Sequence, residues 1–133
     1  MKLESYKYIY FVGVGGIGMS ALARYFNRKG KDVFGYDKTQ SDLCKELELE
    51  GINIHYHVGV ENIPREIKDS HCNEILIIYT PAVSLQNIEL QFLKEKGCRL
   101  YKRAEILGLI SRQLFTIAVA GTHGKTTTSY MLT

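Results

Sequence analysis

The chain has 133 residues, of which 45% are hydrophobic and 23% are charged. That length is enough for one domain with its own core, and the composition is globular rather than disordered or fibrous. The net charge of +3 comes from scattered basic residues, whereas nucleic-acid-binding surfaces cluster them. No apolar run approaches the roughly 20 residues that span a bilayer. We therefore expect a cytoplasmic protein that has no nucleic-acid or membrane partner and no obligate protein partner.

The three cysteines, Cys44, Cys72 and Cys98, are far apart in the sequence and odd in number. They lack the CxxC or Cys/His spacing of a zinc site. The sequence therefore predicts reduced cysteines with structural roles.

Strands and helices alternate along the chain. The run YIYFVGV, residues 8–14, is rich in β-branched and aromatic residues and predicts a central strand that is buried on both faces. Apolar residues then recur with helical spacing over residues 19–30. The same reasoning predicts further strands at 32–37, 52–57, 74–82, 98–102 and 114–121, and further helices at 41–51, 87–97 and 103–111.

This alternation predicts an α/β fold of the Rossmann-like, doubly wound kind, with a mainly parallel sheet and helices on both faces. Neither a repeat nor a linker interrupts the order of elements. We predict one domain over residues 1–120 and the start of a second domain over residues 121–133.

The first glycine loop, GVGGIG, lies between the first strand and the first helix and matches GxGxxG. Gly13 would allow the tight turn, Gly15 the approach of a diphosphate, and Gly18 close packing of helix on strand. The amides of Gly15, Gly16, Ile17 and Gly18 would then face the phosphates at the helix start. The alternative is a tight turn that binds nothing.

Asp37 ends the second strand, 19 residues after Gly18. At that position a carboxylate can accept hydrogen bonds from ribose hydroxyls. The glycine loop and Asp37 together predict a site for a nucleoside diphosphate.

Two further segments follow buried strands. Thr80, Pro81 and Ala82 leave the fourth strand at the edge where open parallel sheets bind ligands, so they are secondary candidates for ligand contacts. An ordinary turn explains them equally well. His55 and His57 have no third ligand nearby in the sequence, so we interpret them as surface or packed residues and predict no metal there.

The second glycine loop, AGTHGKTTT, follows an apolar run and resembles a P-loop. Its backbone amides would hold the phosphates of ATP, Lys125 would supply a positive charge, and the Thr126 hydroxyl would bind Mg²⁺. The usual GxxxxGK[ST] pattern needs glycine at position 119, where this chain has Val119. The predicted ATP-binding residues are Gly121, Thr122, His123, Gly124, Lys125, Thr126 and Thr127.

The shorter GxxGKT spacing of this second loop is similar to the ATP site of the Mur ligase family of cell-wall synthesis. The segments FVGVGGIGMSALA, YTPAV, KRAEILG and IAVAGTHGKTTT follow in the order of those members that add L-alanine to UDP-N-acetylmuramate. The YTPAV segment departs from the serine-rich form of many members.

The resemblance implies that the first domain of an ATP-dependent ligase holds UDP-N-acetylmuramate, and that the ATP loop opens the second of three domains. In such a ligase, ATP would convert the lactyl carboxylate to an acyl phosphate, which the amine of L-alanine attacks. Lys125 would act as the catalytic residue. By this interpretation the chain is an N-terminal fragment that binds the UDP-sugar and has no ligase activity of its own.

Three alternatives are open at this stage. A sibling of the same family joins the sugar nucleotide to recycled peptides, although its first loop usually lacks the GGIGMS form. A non-catalytic sensor of NAD(H) and an NAD-dependent dehydrogenase domain would also use the first loop. Neither of these explains the GTHGKTTT loop that follows the domain.

Overall fold

The computed structural model describes residues 3–120, and the side chains of residues 3–114. The chain divides into two compact units between Arg103 and Ala104. The predicted domain boundary after residue 120 coincides with the end of the described residues and stays a prediction.

The first unit is built on a five-stranded sheet in which every pair of neighbouring strands is parallel. The strand order is β3-β2-β1-β4-β5, so the predicted central position of the first strand is confirmed. The order reverses direction between β1 and β4. The strands are β1 (Tyr8–Val12), β2 (Asp32–Tyr36), β3 (Asn53–His55), β4 (Ile75–Tyr79) and β5 (Leu100–Lys102).

Helices connect the strands, as the alternating pattern predicts. The sequence did not indicate the shortest of them, α3, nor three single turns of 3-10 helix, because such short elements leave no periodic pattern. The helices are α1 (Ile17–Arg28), α2 (Asp42–Leu49), α3 (Arg65–Asp69), α4 (Ile88–Glu95) and α5 (Arg103–Ala120), and the 3-10 turns are Leu3–Ser5, Val60–Asn62 and Cys72–Glu74.

Both faces of the sheet are covered. Tyr10 of β1 belongs to a buried cluster with Ile67 of α3 and Leu90 of α4. Phe11, the next residue along the strand, points to the other face, where its ring centroid lies 6.4 Å from that of Phe26 in α1. Since successive side chains of a strand alternate between faces, β1 is buried on both sides. The doubly wound α/β fold is confirmed.

The ends of α2 follow the sequence signals. The Ser41 hydroxyl accepts a hydrogen bond from the Cys44 amide at 3.2 Å, which satisfies one of the unpaired N–H groups at the helix start. Gly51 follows the helix with φ of +101°, a conformation that favours glycine. The helix predicted over residues 41–51 is therefore confirmed, with Ser41 as its N-cap and Gly51 just after its end.

The predicted sixth strand at residues 114–121 is wrong for the described part, because α5 continues through Ala120. A short apolar run suits a buried strand and a helix equally well, so periodicity could not separate them. A helix pairs its own backbone groups, whereas a strand needs a neighbour for them. Within the described residues, no helix combines the length and apolarity that crossing a bilayer requires.

The prediction of reduced cysteines is wrong for two of the three. Cys72 and Cys98 form a disulfide, with their Cα atoms 5.0 Å apart, while Cys44 is free and buried. Cys72 lies just before β4 and Cys98 just before β5. Because β4 and β5 are parallel neighbours, the segments that lead into them are adjacent, and this proximity is invisible in the linear spacing.

Candidate functional site

The first glycine loop makes the tight turn that the sequence predicts. Gly13 has φ of +92°, and the amides of Gly13 and Val14 both donate to the Tyr36 carbonyl, at 2.7 and 3.0 Å. A Cβ on Gly13 would contact Thr80 and would lie 3.2 Å from Cγ2 of Val83. The loop is therefore attached to β2 and lies close to the segment after β4.

Asp37 holds the loop from the β2 side. One carboxylate oxygen accepts from the Gly15 amide at 3.2 Å, and the other accepts from the Thr39 amide at 3.1 Å. Asp37 is half-buried. Each carboxylate oxygen still has acceptor capacity beyond these bonds. Asp37 can therefore both orient the glycine loop and accept from a hydroxyl of a bound nucleotide.

Gly15 has a structural reason to be glycine in addition to the predicted one. A Cβ at this position would lie 2.8 Å from the Cys44 sulfur and 3.1 Å from the carboxyl carbon of Asp37. The buried thiol of α2 therefore lies directly against the loop. A side chain at position 15 would collide with the protein whether or not a ligand is bound.

The start of α1 is free for an anion. Gly16 precedes the helix with extended backbone and without a side-chain cap, and the first turn has no acidic residue. The unpaired N–H groups and the positive end of the helix dipole are therefore unopposed there by any side chain of α1. Ile17 is 86% exposed at this turn.

Gly18 has a close neighbour that the sequence did not predict. A Cβ on Gly18 would lie 2.8 Å from the guanidinium carbon of Arg103. The sequence had no signal for this contact, because Arg103 is 85 residues away and follows the last strand of the sheet.

A cavity of about 660 Å³ opens at the carboxyl edge of the sheet, beside the point where the strand order reverses. It brings together six of the predicted nucleotide-site residues: Gly13, Gly15, Gly16, Asp37, Thr80 and Ala82. Ile17, Gly18 and Pro81, which were predicted with them, do not line it. Sequence reasoning missed Tyr36, Lys38, Ser41, Val83, Ser84, Gln86 and Asn87.

Several of these residues could have been predicted from their position at the carboxyl ends of the strands. Lys38 directly follows Asp37 at the end of β2, where parallel strands present ligand contacts. Tyr36 lines the cavity from the same strand. Burial, together with the nearby carboxylates of Glu89 and Asp37, raises the pKa of Tyr36, so its hydroxyl keeps its proton at neutral pH.

The segment after β4 is an ordinary turn in its hydrogen bonding. The Thr80 carbonyl accepts from the Val83 amide at 3.0 Å, and the Thr80 hydroxyl accepts from the Ala82 amide at 3.4 Å. The turn nevertheless forms one wall of the cavity, so the two interpretations of this segment are compatible.

His55 and His57 differ in their surroundings. β3 ends at His55, so the strand predicted over residues 52–57 is shorter than expected and His57 lies beyond it. His55 is packed, with Nε2 2.8 Å from Oε2 of Glu89, and His57 is exposed. Among the residues that the structure describes, no cluster of His, Cys, Asp or Glu is suited to a metal ion.

The predicted ATP loop, Gly121 to Thr127, lies outside the described residues. Its catalytic Lys125 and the Mg²⁺ ligand Thr126 therefore stay predictions.

The fold and the cavity define an α/β protein with a candidate nucleotide site, and comparison with known proteins identifies its family. The model of the Mur ligase family, catalytic domain, matches residues 8–114. The chain belongs to the Mur ligase family.

Relatives within the family are similar over almost the whole chain. The chain is 50% identical over 133 residues to the UDP-N-acetylmuramate–L-alanine ligase of Cytophaga hutchinsonii, covering 98% of this chain and 28% of that protein. It is 50% identical over 132 residues to the protein of the same name from Parabacteroides distasonis, covering 99% and 28%. The chain thus spans just over a quarter of the length of these relatives.

Solved structures agree on the fold. The UDP-N-acetylmuramate-alanine ligase of Thermotoga maritima matches with a TM-score of 0.70 and 29% identity, over 80% of this chain and 23% of that one. The UDP-N-acetylmuramate:L-alanyl-γ-D-glutamyl-meso-diaminopimelate ligase of Neisseria meningitides has a TM-score of 0.58 at 18% identity, over 74% and 29%, and supports the fold alone.

Proposed function

We propose that this chain is the UDP-N-acetylmuramate-binding part of a ligase that adds L-alanine to UDP-N-acetylmuramate in peptidoglycan precursor synthesis. The observation that carries the proposal is the convergence of the glycine loop, Asp37 and the turn after β4 on one cavity at the reversal of strand order. The relatives with 50% identity support the choice of this ligase within the family.

The site suits a nucleoside diphosphate in chemical terms. The helix start offers N–H donors and a positive dipole end for the phosphates, and Asp37 offers an acceptor for ribose hydroxyls. The cavity continues to the turn at Thr80, which leaves room for a sugar beyond the diphosphate. Binding would position the substrate, and the bond-forming chemistry would require residues outside this cavity.

In the whole enzyme, we propose that ATP is the co-substrate, with Mg²⁺ as its metal and Lys125 as the catalytic residue. The lactyl carboxylate oxygen would attack the γ-phosphorus, and ADP would leave to give an acyl phosphate. The amine of L-alanine would then attack the acyl carbon, the amide bond would form, and phosphate would leave with a proton released from nitrogen. On this proposal the chain alone binds the UDP-sugar and does not catalyse ligation.

Calorimetric titration of the chain with UDP, UDP-N-acetylmuramate and NAD, in parallel, tests the binding proposal. We expect both uridine ligands to bind more tightly than NAD. Tighter binding of NAD would overturn the proposal and favour an NAD sensor or dehydrogenase domain. Alanine-dependent release of ADP by the purified chain would contradict the proposed lack of activity.

A further inference from the structure

Arg103 lies against the first turn of α1, although the cavity lining does not include it. It directly follows β5, and its side chain crosses the backbone of Gly18. A Cβ on Gly18 would lie 2.8 Å from the guanidinium carbon and 3.1 Å from Cδ of Arg103. The absence of a side chain at position 18 therefore creates the space that the arginine occupies.

Two sources of positive charge meet at this contact, while the Asp37 carboxylate accepts a hydrogen bond from the Gly15 amide in the adjoining loop. The α1 N-terminus carries positive partial charge, and its first turn has no acidic residue. The guanidinium adds a full positive charge beside it. Within residues 3–114, whose side chains are described, no carboxylate or other acceptor pairs with Arg103. A cation next to a helix N-terminus is unfavourable unless an anion lies between them.

We propose that Arg103 binds the diphosphate of the nucleotide, together with the amides at the start of α1. This inference rests on the proposed function, since the ligand is the UDP group. A guanidinium presents parallel N–H donors that match two phosphate oxygens, which a lysine ammonium does not reproduce. The diphosphate would then be held between the glycine loop on one side and the β5 end of the sheet on the other.

The proposal also gives Gly18 a specific function. Gly18 would be required because the arginine must cross the helix start to reach the phosphates. The site would thus draw its groups from the ends of four strands: the glycine loop after β1, Asp37 after β2, Thr80 after β4 and Arg103 after β5.

Titration of Arg103→Gln with UDP, UDP-N-acetylmuramate and uridine tests the proposal. We expect UDP affinity to fall by about 10- to 100-fold, the range for a lost hydrogen bond to a charged group, and uridine affinity to be unchanged. Arg103→Lys should recover part of the UDP affinity, because it keeps the charge without the planar donors. Arg65→Gln is the matched control: it removes the same charge from an exposed arginine at the start of α3 and should change neither affinity.

The outcomes separate this inference from the proposed function. Equal loss of UDP and uridine affinity in Arg103→Gln would show a purely structural role, and unchanged UDP affinity would also overturn the proposal. If only UDP-N-acetylmuramate binding fell, the anion would be the lactyl carboxylate, and the assignment to the diphosphate would be wrong. In these cases the nucleotide site itself stands, whereas a wild-type chain that binds neither UDP nor uridine overturns both proposals.

Discussion

Glu89 is fully buried in α4, and replacing it with alanine should strongly destabilise the chain. One carboxylate oxygen accepts a hydrogen bond from the Tyr10 hydroxyl. The other accepts from the Gly59 amide at 3.1 Å and lies 2.8 Å from His55 Nε2. Glu89 thereby connects the central strand, the end of β3 and the segment that precedes α3.

The size of the effect follows from what the substitution leaves behind. In Glu89→Ala, the buried Gly59 amide loses its acceptor, and the Tyr10 hydroxyl keeps only the contact with His55 Nε2 at 3.3 Å. An orphaned buried group costs about 1–3 kcal/mol. Together the two losses sum to at most about 6 kcal/mol. Since domains of this size are stable by roughly 5–15 kcal/mol, much of the free energy of unfolding would be lost.

Urea unfolding followed by circular dichroism measures this loss, since the chain has no tryptophan to report by fluorescence. Glu95→Ala, an exposed position of the same helix, is the control and should change stability by no more than about 0.5 kcal/mol. Tyr10→Phe should cost about 1–3 kcal/mol, because it removes one donor and leaves the other two contacts. If Glu89→Ala were no more destabilising than Glu95→Ala, the buried network would not contribute as the structure indicates.

Three further predictions concern the cysteines, the nucleotide site and alkaline pH. Thiol titration of the unfolded, unreduced chain should find only Cys44, and three reactive thiols before reduction would contradict the disulfide. The bonded cysteines, Cys72 and Cys98, are 26 residues apart, so reducing their bond should lower the free energy of unfolding by about 3.5 kcal/mol. Asp37→Ala should weaken UDP binding by about 1–3 kcal/mol in calorimetry, and an unchanged affinity would remove Asp37 from the site. Burial and the nearby Glu89 carboxylate raise the pKa of Tyr10 well above 10.0, so the unfolded chain releases this proton first as the pH rises. The free energy of unfolding should therefore fall above about pH 10, by up to about 1.4 kcal/mol per pH unit for this group. Urea midpoints should fall less steeply with pH in Tyr10→Phe than in the wild type. Equal slopes of midpoint against pH in the two chains would count against a buried, protonated Tyr10.

The sheet was predictable because its strands carry strong local signals. β1 and β4 are continuous apolar runs rich in β-branched and aromatic residues, and turn residues follow each of them. This composition, rather than periodicity, favours a strand buried on both faces over a helix. The turn at Gly13 and the cap at Ser41 were equally readable, because each depends on a few neighbouring residues. The apolar run after residue 113 was not, since its conformation depends on whether another strand pairs with it.

The missed contacts are all long-range. In α4, Ile88 would be expected inside and Glu89 outside, yet Ile88 is 57% exposed and Glu89 is fully buried. The helix places Glu89 on the same side as Leu90 and Leu93, and only the tertiary positions of Tyr10 and Gly59 make that side suitable for a carboxylate. The Cys72–Cys98 pairing and the Arg103 side chain over Gly18 likewise depend on which strands are neighbours.

The contact between the Cys44 sulfur and Gly15 links the sequence choices at two positions that are 29 residues apart. A larger side chain at position 44 would displace the glycine loop, and a methyl group at position 15 would collide with the Cys44 sulfur. We therefore expect alanine at position 15 to be tolerated better with a smaller residue at position 44, with the Asp37 carboxyl carbon still 3.1 Å from the added Cβ. Homologues in which the second glycine of the motif is replaced should carry a compensating reduction in volume in α2, so a buried residue outside the glycine loop partly sets the permitted variation within it.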